Sequence, residues 1–161
     1  MLRKMLAAAL LAGALPAAAQ STPAANYTDM WYGGEAESGW GISFLQHANG
    51  QAFAVWYHYD PREPDPSGQF KPLWFVMPAP VTWTSPTSVT GPVYVTSGVP
   101  FSQAGSNTAV QPVGTFTFNF ASASTGTFTY NIAVPAGLPG TSPGFGLPAM
   151  SGTKNIVRQS F

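Results

Sequence analysis

The chain has 161 residues, no cysteine, and six basic side chains against six acidic ones. Its length is that of one domain; the lack of cysteine excludes disulfides and thiolate chemistry, and the lack of a basic patch argues against nucleic acid as a partner. Aromatic residues make up 14% of the chain and apolar residues alternate with polar ones, which predicts a folded β protein rather than a disordered segment.

The N-terminus has the pattern of a secretory signal peptide, residues 1–19. Two basic residues, Arg3 and Lys4, precede a short apolar run that ends in small residues at 17–19. The run is too short to span a bilayer, and it lacks the polar face of the alternative, an amphipathic helix in a cytoplasmic chain. We therefore predict export to the periplasm or the medium, with no membrane span after signal removal.

The mature chain is predicted to begin with a flexible lead-in, residues 20–28, and to continue as a single β domain, residues 29–161. Its organising element is a β-hairpin around Asn49-Gly50. If these two residues form the turn, the numbers of paired residues sum to 99, so Trp40 and Trp56 lie on opposite faces of the sheet.

Further strands follow the hairpin. Phenylalanine alternates with threonine in two of them, 114–120 and 126–132, as in an antiparallel sheet with one buried face. Seven or eight strands without a substantial helix predict an all-β fold, a small antiparallel up-and-down barrel, with a two-sheet β-sandwich as the alternative. The barrel is favoured because closure hides apolar strand edges. The other predicted strands are 71–78, 91–96 and 153–161, and the long loops are 60–68, 97–111 and 135–150.

Several of these pieces resemble a module of exported proteobacterial proteins, an uncharacterised family. The resemblance rests on an ESGWG box at 37–41, a WYTY-like strand at 56–59, a KPLWLVM-like strand at 71–77 and a KxIxRQxF ending at 154–161. It covers nearly all of the mature chain, with longer loops here at 60–69 and 135–150. The resemblance implies export and one domain, and it implies no activity.

The aromatic residues are the main functional clue. Tryptophan lines ligand pockets, although its commonest use is core packing. Trp56, His58, Trp40 and Tyr57 are the candidate ligand-binding residues, because small residues opposite Trp56 leave room on that face. We predict an exported, non-catalytic β domain that binds a small ligand, a glycan or a surface partner through these side chains.

Two other functions remain open. Glu35 and Glu37 have the spacing of an inverting glycosidase pair, but both would reach a sugar from the same side. A purely structural, envelope-associated domain is the other alternative. A solvent-accessible pocket at Trp56 favours binding, two carboxylates across a cleft favour the enzyme, and a sealed interior favours the structural role.

No cofactor or metal site is predicted. His47 and His58 share a predicted hairpin face but lie about 20 Å apart along it, too far to hold one ion. Arg158 shares a strand face with Ile156, so an inward arginine would need a partner. We predict a structural ion pair between Glu37 and Arg158 that ties the last strand to the ESGWG box.

Overall fold

The computed structural model describes residues 20–103 and 108–160; the predicted signal peptide lies outside the described residues. The described chain forms nine β-strands and one short 3-10 helix, Glu35–Glu37, and no helix of seven or more residues. None of the described helices is long and apolar enough to cross a membrane. The strands are β1 (Asp29–Tyr32), β2 (Gly41–Gln46), β3 (Ala52–Tyr59), β4 (Pro72–Met77), β5 (Thr82–Ser85), β6 (Ser88–Ser97), β7 (Ala109–Phe120), β8 (Thr125–Ile132) and β9 (Met150–Arg158).

Eight of these strands close into an antiparallel barrel. Each strand pairs with the next along the chain, except that β4 pairs with β6, through Phe75 opposite Val95, and β5 lies outside against the first half of β6. The ring closes where β9 meets β1, with Trp31 opposite Arg158. The prediction of an all-β up-and-down barrel is confirmed, and the β-sandwich alternative is wrong because closure leaves one continuous sheet.

The barrel interior is filled with side chains for most of its length. In β7 and β8 the phenylalanines point inward and the threonines outward, as their alternation predicted. Several aromatic rings of the core pack edge to face. The rings of Phe116 and Phe128, for example, do so at a centroid distance of 4.9 Å. The largest fully buried side chains are Trp31, Trp83, Phe44, Phe75, Phe116, Phe118, Phe128, Ile42, Met77, Ile132, Ile156 and Val89.

The register of the β2–β3 hairpin differs from the prediction by one residue. Ile42 pairs with Trp56 and Gly41 with Tyr57, so the pair numbers sum to 98. The reason is the turn: the backbone N–H of His47 donates to the carbonyl of Gln51 at 2.7 Å, which closes a longer loop than the predicted two-residue turn. A one-residue slip moves every side chain of β3 to the other face of the sheet relative to β2. Trp56 therefore points into the barrel with Ile42, and the predicted separation of Trp40 from Trp56 is wrong.

One end of the barrel is closed by residues 20–28. Tyr27 is 2% exposed, and its ring stacks on Phe120 at a centroid distance of 3.9 Å. The backbone N–H of Ser21 donates to the carbonyl of Trp83 at 3.2 Å. The sequence predicted a flexible lead-in here, and the structure shows that this segment packs against the barrel through Tyr27.

The opposite end carries the longer connections. β1 stops at Tyr32, opposite Val157, so the first two-thirds of β9 have no strand partner on that side. The connection from 33 to 40, which includes the 3-10 helix, runs past this gap to reach β2. This end of the barrel, where β3 and β8 end and β9 begins, is called the mouth below.

Candidate functional site

A pocket with a volume of about 800 Å³ opens at the mouth. Its walls come from three strands, β3, β8 and β9, from the connection between β1 and β2, and from the end of the β8–β9 loop. Three of the four predicted ligand-binding residues lie in this wall. The lining residues are Glu37, Ser38, Trp40, Trp56, His58, Phe128, Tyr130, Ala149, Met150, Ser151 and Lys154.

The floor of the pocket is aromatic. Trp56, 6% exposed, stacks on His58 at a centroid distance of 4.6 Å with 17° between the planes. Tyr130 of β8 lies 4.9 Å from Trp56 on a tilted plane. The indole N–H of Trp56 is buried and has no acceptor among the described residues. An indole N–H in such a place usually finds a partner, so this buried donor carries a cost in free energy.

Gly152 makes the position of Tyr130 possible. The two residues are paired across β8 and β9. A Cβ atom at Gly152 would lie 2.7 Å from the hydroxyl oxygen of Tyr130. The missing side chain lets the phenol lie over β9 and form part of the pocket wall.

An ion pair stands at the rim of the pocket. The Nζ atom of Lys154 lies 2.8 Å from the Oε2 atom of Glu37, and the two side chains are 42% and 41% exposed. The hydrogen bond from Lys154 lowers the pKa of Glu37, and a smaller lowering comes from Trp40. The same hydrogen bond raises the pKa of Lys154. Both groups are charged at neutral pH, and both keep part of their surface open to hydrogen bonding.

The predicted ion pair between Glu37 and Arg158 does not form. The Nε atom of Arg158 lies 3.4 Å from the Oδ2 atom of Asp29, and its guanidinium lies 5.4 Å from the ring of Trp31. The physical reason is distance along β9: Arg158 lies at the closed end beside β1, and Lys154, four residues or about 13 Å nearer the mouth, meets Glu37.

Gly33 holds the connection between β1 and β2 close to the pocket. A Cβ atom there would lie 2.7 Å from the Cζ2 atom of Trp40 and 2.9 Å from the Cβ atom of Glu37. Both side chains therefore pack directly on the backbone of Gly33. This packing directs Trp40 and Glu37 to the same wall.

Two other predicted residues lie outside the pocket lining. Tyr57, 45% exposed, is on the outer surface of β3, where it pairs with Trp74 of β4, 50% exposed. Glu35 is exposed on the 3-10 helix and does not line the pocket. His47 is exposed in the β2–β3 turn, at the end opposite His58. Within the described ranges, no group of three or more His, Cys, Asp or Glu residues could hold a metal ion.

The loops beside the pocket are tied together by Arg62. Its guanidinium forms an ion pair with Asp60, with Nε 2.7 Å from Oδ1. Its Nη1 atom donates to the carbonyl of Phe145 at 2.9 Å, in the β8–β9 loop. Leu147 of that loop is 6% exposed and belongs to the core. The two long loops are therefore joined above the mouth.

Burial lowers the pKa of His58, and the nearby Asp60 carboxylate opposes that shift only in part. Above the ordinary imidazole pKa of about 6.5, His58 is neutral in both the folded and unfolded chain and does not affect stability. Below it, the unfolded chain binds a proton that the folded chain still rejects, so the free energy of unfolding falls until the lowered pKa is reached. The loss is then complete.

We expect this loss in chemical denaturation as the pH is lowered from 7, beginning near the ordinary pKa of about 6.5. In His58→Phe, which keeps a ring beside Trp56, the loss should be smaller. His47→Phe is the matched control, because His47 is exposed in the opposite turn. An identical pH dependence in wild type and His58→Phe would show that His58 is not desolvated.

The fold and the pocket together define a closed antiparallel barrel with one packed end and one open, aromatic mouth. Comparisons with models of protein families, with curated proteins and with solved structures found no match for this chain. The function must therefore be inferred from the pocket itself.

Proposed function

We propose that this protein is an exported, non-catalytic barrel that binds a small ligand in the mouth pocket. The observation that carries the proposal is the pocket of about 800 Å³ with an aromatic floor and one ion pair at its rim. Binding sites for small molecules have this character: concave, mostly apolar, and supplied with a few polar groups that orient the ligand. Export follows from the sequence pattern of residues 1–19.

The pocket favours binding over the two alternatives. A purely structural barrel would be filled at both ends, whereas here only the end closed by Tyr27 is packed. A glycosidase needs two carboxyl groups that flank the bond. Glu37 is the one carboxylate among the described lining residues, and its hydrogen bond with Lys154 lowers its pKa, the opposite of what a general acid requires.

The test is a screen by saturation-transfer NMR of small sugars, indoles and fatty acids. We expect at least one class to bind, and we expect Trp40→Ala to weaken that binding about tenfold through loss of a stacking surface. Trp74→Ala is the matched control, because Trp74 is half-exposed on the outer surface of β4. The proposal fails if nothing binds, or if Trp40→Ala binds as tightly as wild type.

A further inference from the structure

The charges, rings and hydrogen-bonding groups of the mouth pocket are specific enough to indicate a class of ligand. We infer that the pocket takes a neutral sugar ring, held between aromatic side chains and the Glu37–Lys154 pair. This inference rests on the proposed function, since it names the ligand of the same pocket.

The charges of the pocket favour an uncharged ligand over a charged one. Glu37 and Lys154 are the two charged side chains in the described lining, and each is already bound to the other at 2.8 Å. A carboxylate or ammonium entering the pocket would lose water and would meet no free charge of opposite sign. An uncharged ligand avoids this cost.

The aromatic side chains favour a ring with C–H bonds on its face. Trp40, His58 and Tyr130 are all partly exposed and all line the pocket. The face of an aromatic ring carries negative potential, which attracts the polarised C–H groups on the less polar face of a sugar. Neutral His58, with its lowered pKa, is suited to such contact.

The polar groups of the pocket distinguish a sugar from a purely apolar ring. At the rim, the Glu37 carboxylate can accept a hydrogen bond and the Lys154 ammonium can donate one, and a sugar hydroxyl does both. An apolar ligand would cover these groups without satisfying them, at a cost in free energy. A sugar hydroxyl can satisfy both groups, by donating to Glu37 and accepting from Lys154.

The test is calorimetric titration of the full mature chain with cellobiose, maltose, N,N′-diacetylchitobiose, digalacturonate and indole. We expect at least one neutral disaccharide to bind and digalacturonate to bind at least about tenfold more weakly, a difference of about 1.4 kcal/mol. Glu37→Gln should narrow that difference, because it frees the charge of Lys154. Glu35→Gln is the matched control, since Glu35 is on the same 3-10 helix but outside the pocket lining.

The outcomes separate the two proposals. Binding of indole without any disaccharide, or tighter binding of digalacturonate than of every neutral disaccharide, overturns the sugar inference and leaves the pocket as a binding site. An equal change of selectivity in Glu35→Gln and Glu37→Gln also overturns the inference. Failure of every probe to bind, in this titration and in the NMR screen, overturns the proposed function itself.

Discussion

Replacement of Trp56 by alanine is expected to lower the free energy of unfolding by about 3 to 5 kcal/mol, the range for deletion of a large buried aromatic side chain. The indole is 6% exposed and lies against Phe75, Phe116 and Phe128, at centroid distances of 5.5, 5.9 and 5.4 Å. These neighbours belong to three different strands of the barrel. The cavity left by alanine cannot close without moving the wall. Urea denaturation with a constant slope measures the loss.

The adjacent residue provides the control. Tyr57 is 45% exposed on the outer surface, so Tyr57→Ala should cost less than about 1 kcal/mol. The two variants together test the hairpin register, because a one-residue slip would exchange their effects. A larger loss for Tyr57→Ala than for Trp56→Ala would contradict the inward position of Trp56.

Gly114→Ala is expected to destabilise the barrel by more than about 3 kcal/mol, or to prevent folding. Gly114 has a φ of 156°, next to a bulge in the β6–β7 pairing. A Cβ atom there would lie 1.9 Å from the carbonyl oxygen of Asn131 in the neighbouring strand. Backbone atoms of a paired strand cannot move aside as a flexible side chain can. The side chain would force β7 and β8 apart.

Gly140→Ala is the control for this variant. Gly140 lies in the β8–β9 loop with open space where a Cβ atom would be placed. Thermal unfolding should give a midpoint close to that of wild type for Gly140→Ala. If Gly114→Ala unfolds at the same midpoint as Gly140→Ala, the close approach of β7 to β8 at this bulge is wrong.

Much of the barrel could be predicted because strand alternation is a local property of the sequence. The alternating phenylalanines at 116, 118 and 120 define one inward face whatever lies opposite. Strands β6, β7 and β9 begin earlier than predicted, at Ser88, Ala109 and Met150, and β5 was not predicted, since it arises from a Thr/Ser/Pro-rich stretch. Trp83 explains the latter, because its ring is buried under the lead-in segment that contains Tyr27. Tyr27 and Trp83 are far apart in the sequence, so their contact leaves no local pattern from which β5 could be predicted.

The candidate site was predicted in part. Trp40, Trp56 and His58 were predicted as candidates and do line one pocket, but Trp40 and Trp56 were predicted on opposite faces, because the turn around Asn49-Gly50 is longer than the dipeptide indicates. Tyr130 was missed. It continues the inward-facing alternation of β8 after Phe128 but carries a polar hydroxyl, and a polar group on a core face is a signal that could have indicated a pocket.

The partner of Glu37 depends on where each position of β9 lies along the barrel. Lys154, Ile156 and Arg158 share one strand face, so either base was compatible with the sequence. Only the pairing of Arg158 with Trp31 decides that Arg158 is at the closed end and Lys154 at the mouth. Strand position of this kind follows from tertiary pairing, which a single sequence does not specify.

The most direct test of the mouth pocket as the binding site is a proton–nitrogen NMR spectrum of the tryptophan indoles, of which the chain has five. Each signal is assigned by a tryptophan-to-phenylalanine variant, and cellobiose, maltose, N,N′-diacetylchitobiose and indole are added in turn. We predict that a binding probe shifts the signals of Trp40 and Trp56. The signals of Trp74 on the outer surface and of Trp31 and Trp83 at the closed end should stay in place. A shift confined to Trp74, or no shift at Trp40 and Trp56 with any probe, would contradict the claim that the mouth pocket is the binding site.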